Sequence, residues 1–431
     1  MLFKNIAILD KNLEYKENMF VGVKDDKIAY IGDIQPAEDY GEVYDGKGKM
    51  LMPGFYNAHA HSPMTLLRGY GENLALQDWL NKKIFPFEDK LDGNAVYWGT
   101  LLAMAESLRF GIVSTSDMYY FCEDMIRAIE QSGAKDNLSR GVTNFTDSGL
   151  YDLEAFREMK SLFGNYHGAL GGKLKVDMSL HAEYTSNPRT AQEMAAYTRS
   201  VGAQMHVHVS ETKLEHEECK GRHEGRTPIK YLADMGLLDS KTTAAHCVWI
   251  EPEDMDIIKE KGVTVATNPI SNMKLASGVC NVNELLKRGI NVAIGTDGDS
   301  SNNSLDFIEE MKAFALISKV WFNDPTIVTP AQTVFAATRG GALAQGREDC
   351  GLLETGYKAD LIVIDTMKPN MRPVHNMLNN LVYAGCGGDV VLTMVDGKVL
   401  YQNGEYKTID LEKTIFEAQK ATDKILAELR N

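Results

Sequence analysis

The chain has 431 residues, 44% hydrophobic and 24% charged, the composition of an ordinary globular protein rather than a disordered or fibrous one. A net charge of −15 with no basic stripe excludes a nucleic-acid backbone as the natural partner, because phosphate binding needs clustered Lys and Arg. No apolar run reaches the length that spans a bilayer, so no membrane role is expected. The N-terminus lacks the apolar core and small-residue cleavage site of a signal peptide. The six cysteines are scattered, with no Cys-x-x-Cys among them, which fits reduced, packed thiols of a cytoplasmic protein.

In chain order, residues 1–50 read as short strands, Ile6-Ala-Ile-Leu, Met19-Phe-Val-Gly-Val and Lys27-Ile-Ala-Tyr-Ile, between Asp-rich turns. From residue 53 to 357 the texture changes to apolar runs of strand length alternating with segments of helical period. Eight such runs cover 51–61, 111–120, 137–145, 174–184, 204–212, 243–248, 263–269 and 291–297. Helical patterns over 94–110, 123–131, 190–201, 228–237 and 253–261 fall between them. Continuous apolar strands alternating with helices specify a parallel sheet covered on both faces, and eight of them fit a (β/α)₈ TIM barrel; a doubly wound open sheet is the alternative.

Short strands return near the C-terminus as Ala359-Asp-Leu-Ile-Val-Ile-Asp, Val390-Val-Leu-Thr-Met-Val and Lys398-Val-Leu-Tyr, around the turns Asp396-Gly397 and Asn403-Gly404. Neither end buries a core alone, so residues 1–52 and 358–410 are expected to pair into one small β-sandwich domain. Residues 411–431 form a last helix with Ile415, Ala418, Ala421, Ile425 and Leu429 at helical spacing.

Active sites of such barrels gather at the C-terminal ends of the strands. The first run ends in His59-Ala-His61, whose imidazoles project to one side of a strand. The fourth run contains His181, the fifth reads Met205-His-Val-His-Val-Ser-Glu211, the sixth Ala244-Ala-His246-Cys, and the eighth Ala293-Ile-Gly-Thr-Asp297-Gly. Six of the ten histidines therefore sit at or near strand ends. Imidazoles together with a carboxylate suit a mononuclear transition-metal site. Alternation alone leaves open which of His206 and His208 is the ligand, since both face one side.

The run Gly54-Phe-Tyr-Asn-Ala-His-Ala-His-Ser-Pro-Met-Thr-Leu-Leu-Arg-Gly, with Asn268-Pro-Ile-Ser-Asn-Met-Lys and Gly295-Thr-Asp-Gly-Asp-Ser-Ser-Asn-Asn-Ser, resembles the deaminases of the amidohydrolase superfamily. The resemblance is greatest to 5′-methylthioadenosine/S-adenosylhomocysteine deaminases and covers nearly the whole chain. It implies a metal held by His59, His61, His208 and Asp297, and so favours His208 over His206. It makes Glu211 the proton shuttle and puts His246 beside the attacking hydroxide that a bound divalent metal supplies near neutral pH. One metal per subunit is implied, zinc first, with ferrous iron compatible with the same ligands.

The same resemblance implies a small-molecule substrate and a homo-oligomer. Trp79 would pack on the substrate, and Glu88 would accept the ribose hydroxyls. His181 would contact a purine ring nitrogen, and Arg140 would hold a tail carboxylate, for which its planar fork is suited. Thr267 and Asn281 depart from the family pattern near the seventh strand, which bears on tail specificity. The expected activity is hydrolytic deamination of an adenine nucleoside with a variable 5′ substituent. The alternatives are deamination of guanine, a pterin or cytosine, triazine hydrolysis on the same barrel, or a non-catalytic metal-binding scaffold.

Overall fold

Continuous apolar runs make the barrel strands: every residue of β6 (Phe55–Ala60), β7 (Ile112–Tyr119), β11 (Met205–Val209), β12 (Thr242–His246), β13 (Thr264–Thr267) and β14 (Val292–Ile294) is buried. This is the pattern of a parallel sheet covered on both faces. The computed structural model describes residues 1–74 and 76–430; residue 431, the last of the expected C-terminal helix segment, lies outside them.

The remaining barrel strands are β8 (Lys135–Arg140) and a fourth strand in two pieces, β9 (Leu174–Val176) and β10 (Met178–Ser179). β6-β7-β8-β9 and β10-β11-β12-β13-β14 form two parallel ribbons. The amide of Asp177, between β9 and β10, donates to Leu138 O at 2.9 Å, while that of Met178 donates to Gln204 O at 2.8 Å. One strand thus passes from one ribbon to the other. The circle closes where Asp297 N–H donates to His59 O at 2.9 Å and Ala60 bridges Asp297 in parallel. The architecture is a (β/α)₈ barrel.

Alternation sorts the barrel side chains. Met205, Val207, Val265, Val292 and Ile294 belong to the apolar layer under the helices, whereas Ala58, Ala266, Ala293 and Ala344 pack together in a separate small cluster. Histidines occupy the alternate positions of β11.

The expected run 51–61 divides at Gly54 into β5 (Lys49–Pro53) and β6. A Cβ at Gly54 would meet Val113 Cγ1 at 2.3 Å, so only glycine fits where the chain leaves one sheet for the other. β5 joins β1 (Leu2–Leu9), β2 (Tyr15–Lys24), β3 (Lys27–Gly32) and β4 (Val43–Asp45) from the N-terminus. From the C-terminus come β15 (Leu361–Asp365), β16 (Val390–Val395), β17 (Lys398–Gln402) and β18 (Glu405–Tyr406). All nine form one hydrogen-bonded sheet in which β15 pairs β5, so both chain ends build the small β-sandwich. Phe3, Ile8, Val21, Val363 and Leu392 fill its own core, and Leu9, Met52 and Ile362 join the core of the barrel.

A buried ionic cluster ties the two parts together. Lys135 on β8 pairs with Asp360 and, at 2.7 Å, with Asp396 Oδ1, while Tyr56 O–H on β6 donates to Asp360 Oδ2 at 2.5 Å. The lysine holds Asp360 below the usual carboxylate range against its burial.

The last helix, Leu411–Leu429, packs on helix Gly93–Arg109 and buries Thr414, Ala418, Ala421 and Ile425. Ile415, expected on the packed face, is 52% exposed, because the helix presents Thr414 in its place. Among the described residues no helix is long and apolar enough to cross a membrane.

Breaking a buried ion pair strands the surviving charge, at a cost of roughly 3–5 kcal/mol. Lys135→Met and Asp360→Asn should each lower unfolding free energy by about that amount in urea titrations; a change within about 0.5 kcal/mol would contradict the role given to this cluster.

Candidate active site

Three of the strand-end residues have left-handed backbones: Ser210 (φ 50°), His246 (φ 71°) and Asp297 (φ 62°). The left-handed conformation costs a non-glycine residue roughly 1–2 kcal/mol, so the strain is concentrated where the chain turns off the barrel and side chains converge.

His59, His61, His208 and Asp297 meet at the mouth of the barrel. His61 Nε2 lies 3.3 Å from Asp297 Oδ1 and 3.4 Å from His208 Nε2, and His59 Nε2 lies 3.6 Å from Asp297 Oδ1. The other ring nitrogen of each histidine is engaged. His61 Nδ1 bonds Met118 O at 2.7 Å, His208 Nδ1 bonds His181 O at 2.7 Å, and His59 Nδ1 faces His206 Nε2 at 2.9 Å. The Nε2 lone pairs are thus left for the shared centre, and His59 Nε2 is buried without a hydrogen-bond partner.

The donor set fits a divalent transition metal. Ligands 2.0–2.1 Å from a tetrahedral zinc are about 3.3 Å apart, the spacing seen between His61 and His208. His59, His246 and Asp297 also offer atoms within 4.8 Å of one another; His246 Nδ1 is bonded to Asn272 Oδ1 at 3.0 Å, so its Nε2 also faces the centre, where it lies 3.9 Å from Glu211 Oε2. Asp297 favours positive charge among these rings. Burial alone would lower His61, yet Asp297 raises it to about 9, while burial takes His59 down to about 3. Asp297 is held from behind by Ser271 Oγ at 2.6 Å and Ser301 Oγ at 3.0 Å on Oδ2, and by Gly298 N–H on Oδ1.

Glu211 lies beside this centre, its Oε2 3.9 Å from His246 Nε2. Burial raises its pKa, with the positive charge on His246 opposing. The turn that carries it is clamped by Glu215, whose carboxylate accepts Ser210 N–H at 2.9 Å and Glu211 N–H at 2.7 Å. Trp79, Glu88, His181, Glu211, His246 and Asp297 line one cavity with His61 and His208. Tyr119 O–H donates to Glu88 at 2.7 Å, and the Tyr119 ring lies 6.5 Å from that of His61, so Glu88 is linked to the donor cluster through one side chain. Asp92, not Glu88, caps the helix that follows, accepting Ala95 N–H at 2.8 Å.

Arg140 does not line this cavity. It borders an adjoining groove that shares Phe85, Glu88 and Tyr120 with it, and its Nε donates to Glu158 at 2.8 Å. Thr267 and Asn281 also lie outside the lining; Asn281 caps helix Val282–Lys287 by accepting Glu284 N–H at 3.2 Å, which accounts for its type without reference to specificity. A further grouping of donors, Glu183, Cys219 and His223, is already neutralised, since Arg222 and His223 each bond Glu183 at 2.6 Å.

Sequence reasoning missed Tyr119, Glu215, Asn272 and Ser271. Ser271 and Asn272 lie within the Asn268-Pro-Ile-Ser-Asn-Met-Lys motif but had no role assigned, Glu215 lies four residues past Glu211, and Tyr119 carries no local signal. His206, left open beside His208, occupies the inward slot below it.

The amidohydrolase family model matches residues 50–400. A 5-methylthioadenosine/S-adenosylhomocysteine deaminase of Thermoanaerobacter pseudethanolicus is 39% identical over 99% of both chains. A 5′-deoxyadenosine deaminase of Methanosarcina mazei is 41% identical over 95% of this chain and 94% of its own. Among solved structures, an adenosine deaminase of Xanthomonas campestris with bound zinc superposes with a TM-score of 0.93 and 29% identity, covering 99% of this chain and 98% of that one. The sequence motifs, the closed barrel with its two-ended sandwich and these full-length likenesses agree: the chain belongs to the amidohydrolase family.

Proposed function

We propose that this protein is a zinc-dependent hydrolytic deaminase of adenine nucleosides with a variable 5′ substituent, giving the inosine analogue and ammonia. One observation carries the reading: a single cavity gathers imidazoles and the Asp297 carboxylate, the half-buried acid Glu211 and, linked to them through Tyr119, the carboxylate Glu88. The relatives named above, which act on adenosine derivatives, support it.

His59, His61, His208 and Asp297 would hold a divalent ion, which when bound would acidify water and so supply hydroxide near neutral pH. The protein's own residues do the rest. Glu211, its pKa raised by burial, delivers a proton to the ring nitrogen next to the amino-bearing carbon as the oxygen adds there. His246, its Nδ1 anchored on Asn272, keeps Nε2 aimed at the incoming oxygen. Asp297, steadied by Ser271 and Ser301, accepts the proton that water gives up and passes it on to the departing amine. Atoms balance: water's oxygen ends on the ring carbon, one of its protons leaves with the amine as ammonia, and the other, lost from the added hydroxyl, restores the proton that Glu211 gave to the ring nitrogen.

At the other end, Glu88 accepts the ribose hydroxyls, Trp79 packs on the nucleoside and His181 reads a purine ring nitrogen. Arg140 meets the carboxylate of an amino-acid tail that extends into the adjoining groove, with Glu158 as its resting partner.

Glu211→Gln should reduce ammonia release by about 10²–10⁴-fold with metal content unchanged; near-normal turnover would remove Glu211 from the reaction. Glu88→Gln should raise KM for nucleosides by an order of magnitude and leave free adenine unaffected, since an unpaired buried acceptor discriminates strongly. Equal effects on both would defeat the nucleoside reading. Burial pushes the Glu88 carboxyl up to about 7, against the hydrogen bond from Tyr119. The ionised form, which accepts hydroxyls, dominates above that pH, so kcat/KM for nucleosides should fall below it and level off at about a tenth of its upper value, the loss expected for Glu88→Gln, which should abolish this limb. Arg140→Leu should weaken S-adenosylhomocysteine by roughly tenfold or more while sparing 5′-methylthioadenosine, which has no carboxylate; equal losses would assign Arg140 a structural role.

A further inference from the structure

The three imidazoles of the donor cluster are not supported alike. His61 and His208 rest their Nδ1 atoms on the peptide carbonyls of Met118 and His181, acceptors that carry no proton and are independent of side-chain identity. His59 has no carbonyl in that place. Its Nδ1 lies 2.9 Å from Nε2 of His206, with ring centroids 5.0 Å apart and planes at 70°. Both rings are inside the barrel, His59 at 0% and His206 at 1% exposure.

A neutral imidazole has one N–H and one lone pair, so two facing imidazole nitrogens form a hydrogen bond only if one carries the proton and the other does not. If His59 offers Nε2 to the cluster, its proton is on Nδ1. His206 then presents a bare Nε2 and carries its own proton on Nδ1. The opposite arrangement, with a proton on His206 Nε2, would force His59 to protonate Nε2 and turn an N–H toward the donors.

We infer that His206 is a positioning residue for the metal centre: it accepts the Nδ1–H of His59 and so fixes the tautomer and ring plane that leave His59 Nε2 free for the ion. Partners of this kind are commonly carboxylates, carbonyls or water, and their loss typically costs 10–100-fold in metal affinity. Here the partner is a side chain two residues before another donor, His208, so β11 supplies one ligand directly and steadies a second from β6. The inference rests on the metal reading above.

The test compares zinc affinity of the purified full chain, by competition with a chromophoric chelator, for wild type, His206→Leu and His206→Gln. Leucine keeps bulk without an acceptor, whereas the glutamine amide oxygen can reach the position of Nε2. Leucine should lose about 10–100-fold in affinity and glutamine should stay within about threefold of wild type. Wild-type affinity in the leucine variant, or equal losses in both, overturns the inference. A wild type that takes up no zinc defeats the metal reading itself, a separate outcome. Should leucine prevent folding, ¹⁵N-histidine spectra of the zinc-loaded wild type give the same decision. A proton on Nδ1 of His206 and a bare Nε2 support the inference; a protonated His206 Nε2 overturns it.

Discussion

One main-chain hydrogen bond, from Asp297 N–H to the carbonyl of His59, joins the last barrel strand to the first, and the site depends on it. It sets beside the first strand a carboxylate more than two hundred residues away in sequence. Asn57 reinforces the seam: its side-chain amide donates to Thr296 Oγ1 at 2.7 Å and its oxygen accepts Thr296 N–H at 3.0 Å. With these strands locked, His59, His61 and Asp297 have no freedom to drift apart, and the entropy of gathering them is spent in folding rather than at each turnover. The left-handed backbones of His246 and Asp297 are tolerable for the same reason, since the surrounding ladder over-determines them.

Burial then divides the carboxylates into two chemical kinds. Asp297 lies among imidazoles and hydroxyl donors and is held far below its ordinary pKa despite its burial. Glu211 and Glu88, half-buried with fewer compensating partners, are pushed upward. Environment thus sets how readily each carboxylate takes up a proton, although all are the same functional group. The sandwich contributes at a distance. Its Asp360 anchors Lys135 on β8 and Tyr56 on β6, so two of the strands that present the mouth are braced from the sheet built by the chain ends.

Much of this was legible in advance where chemistry repeats along the chain. Apolar strands in alternation with helices identify the barrel, and histidines at strand ends mark its working face. Boundaries were less legible. The run 51–61 is one apolar stretch, yet it serves two sheets, and the switch depends on a glycine pressed against Val113 that has no local signature. The third strand was expected at 137–145 but spans Lys135–Arg140, because Asn144 folds the following segment into a turn, its oxygen accepting Thr146 N–H at 2.9 Å.

The sequence by itself determined the fold class, the cluster of ligand-type residues and the acid three residues beyond His208, since period and spacing are local properties of a chain. Only the tertiary structure decided that His206 Nε2 faces His59 Nδ1, that Tyr119 bonds Glu88 beside the donor cluster, and that Arg140 stands in a neighbouring groove with Glu158 instead of lining the cavity. Those relations join side chains on different strands. Their distances follow from barrel closure and strand register, which no single segment encodes.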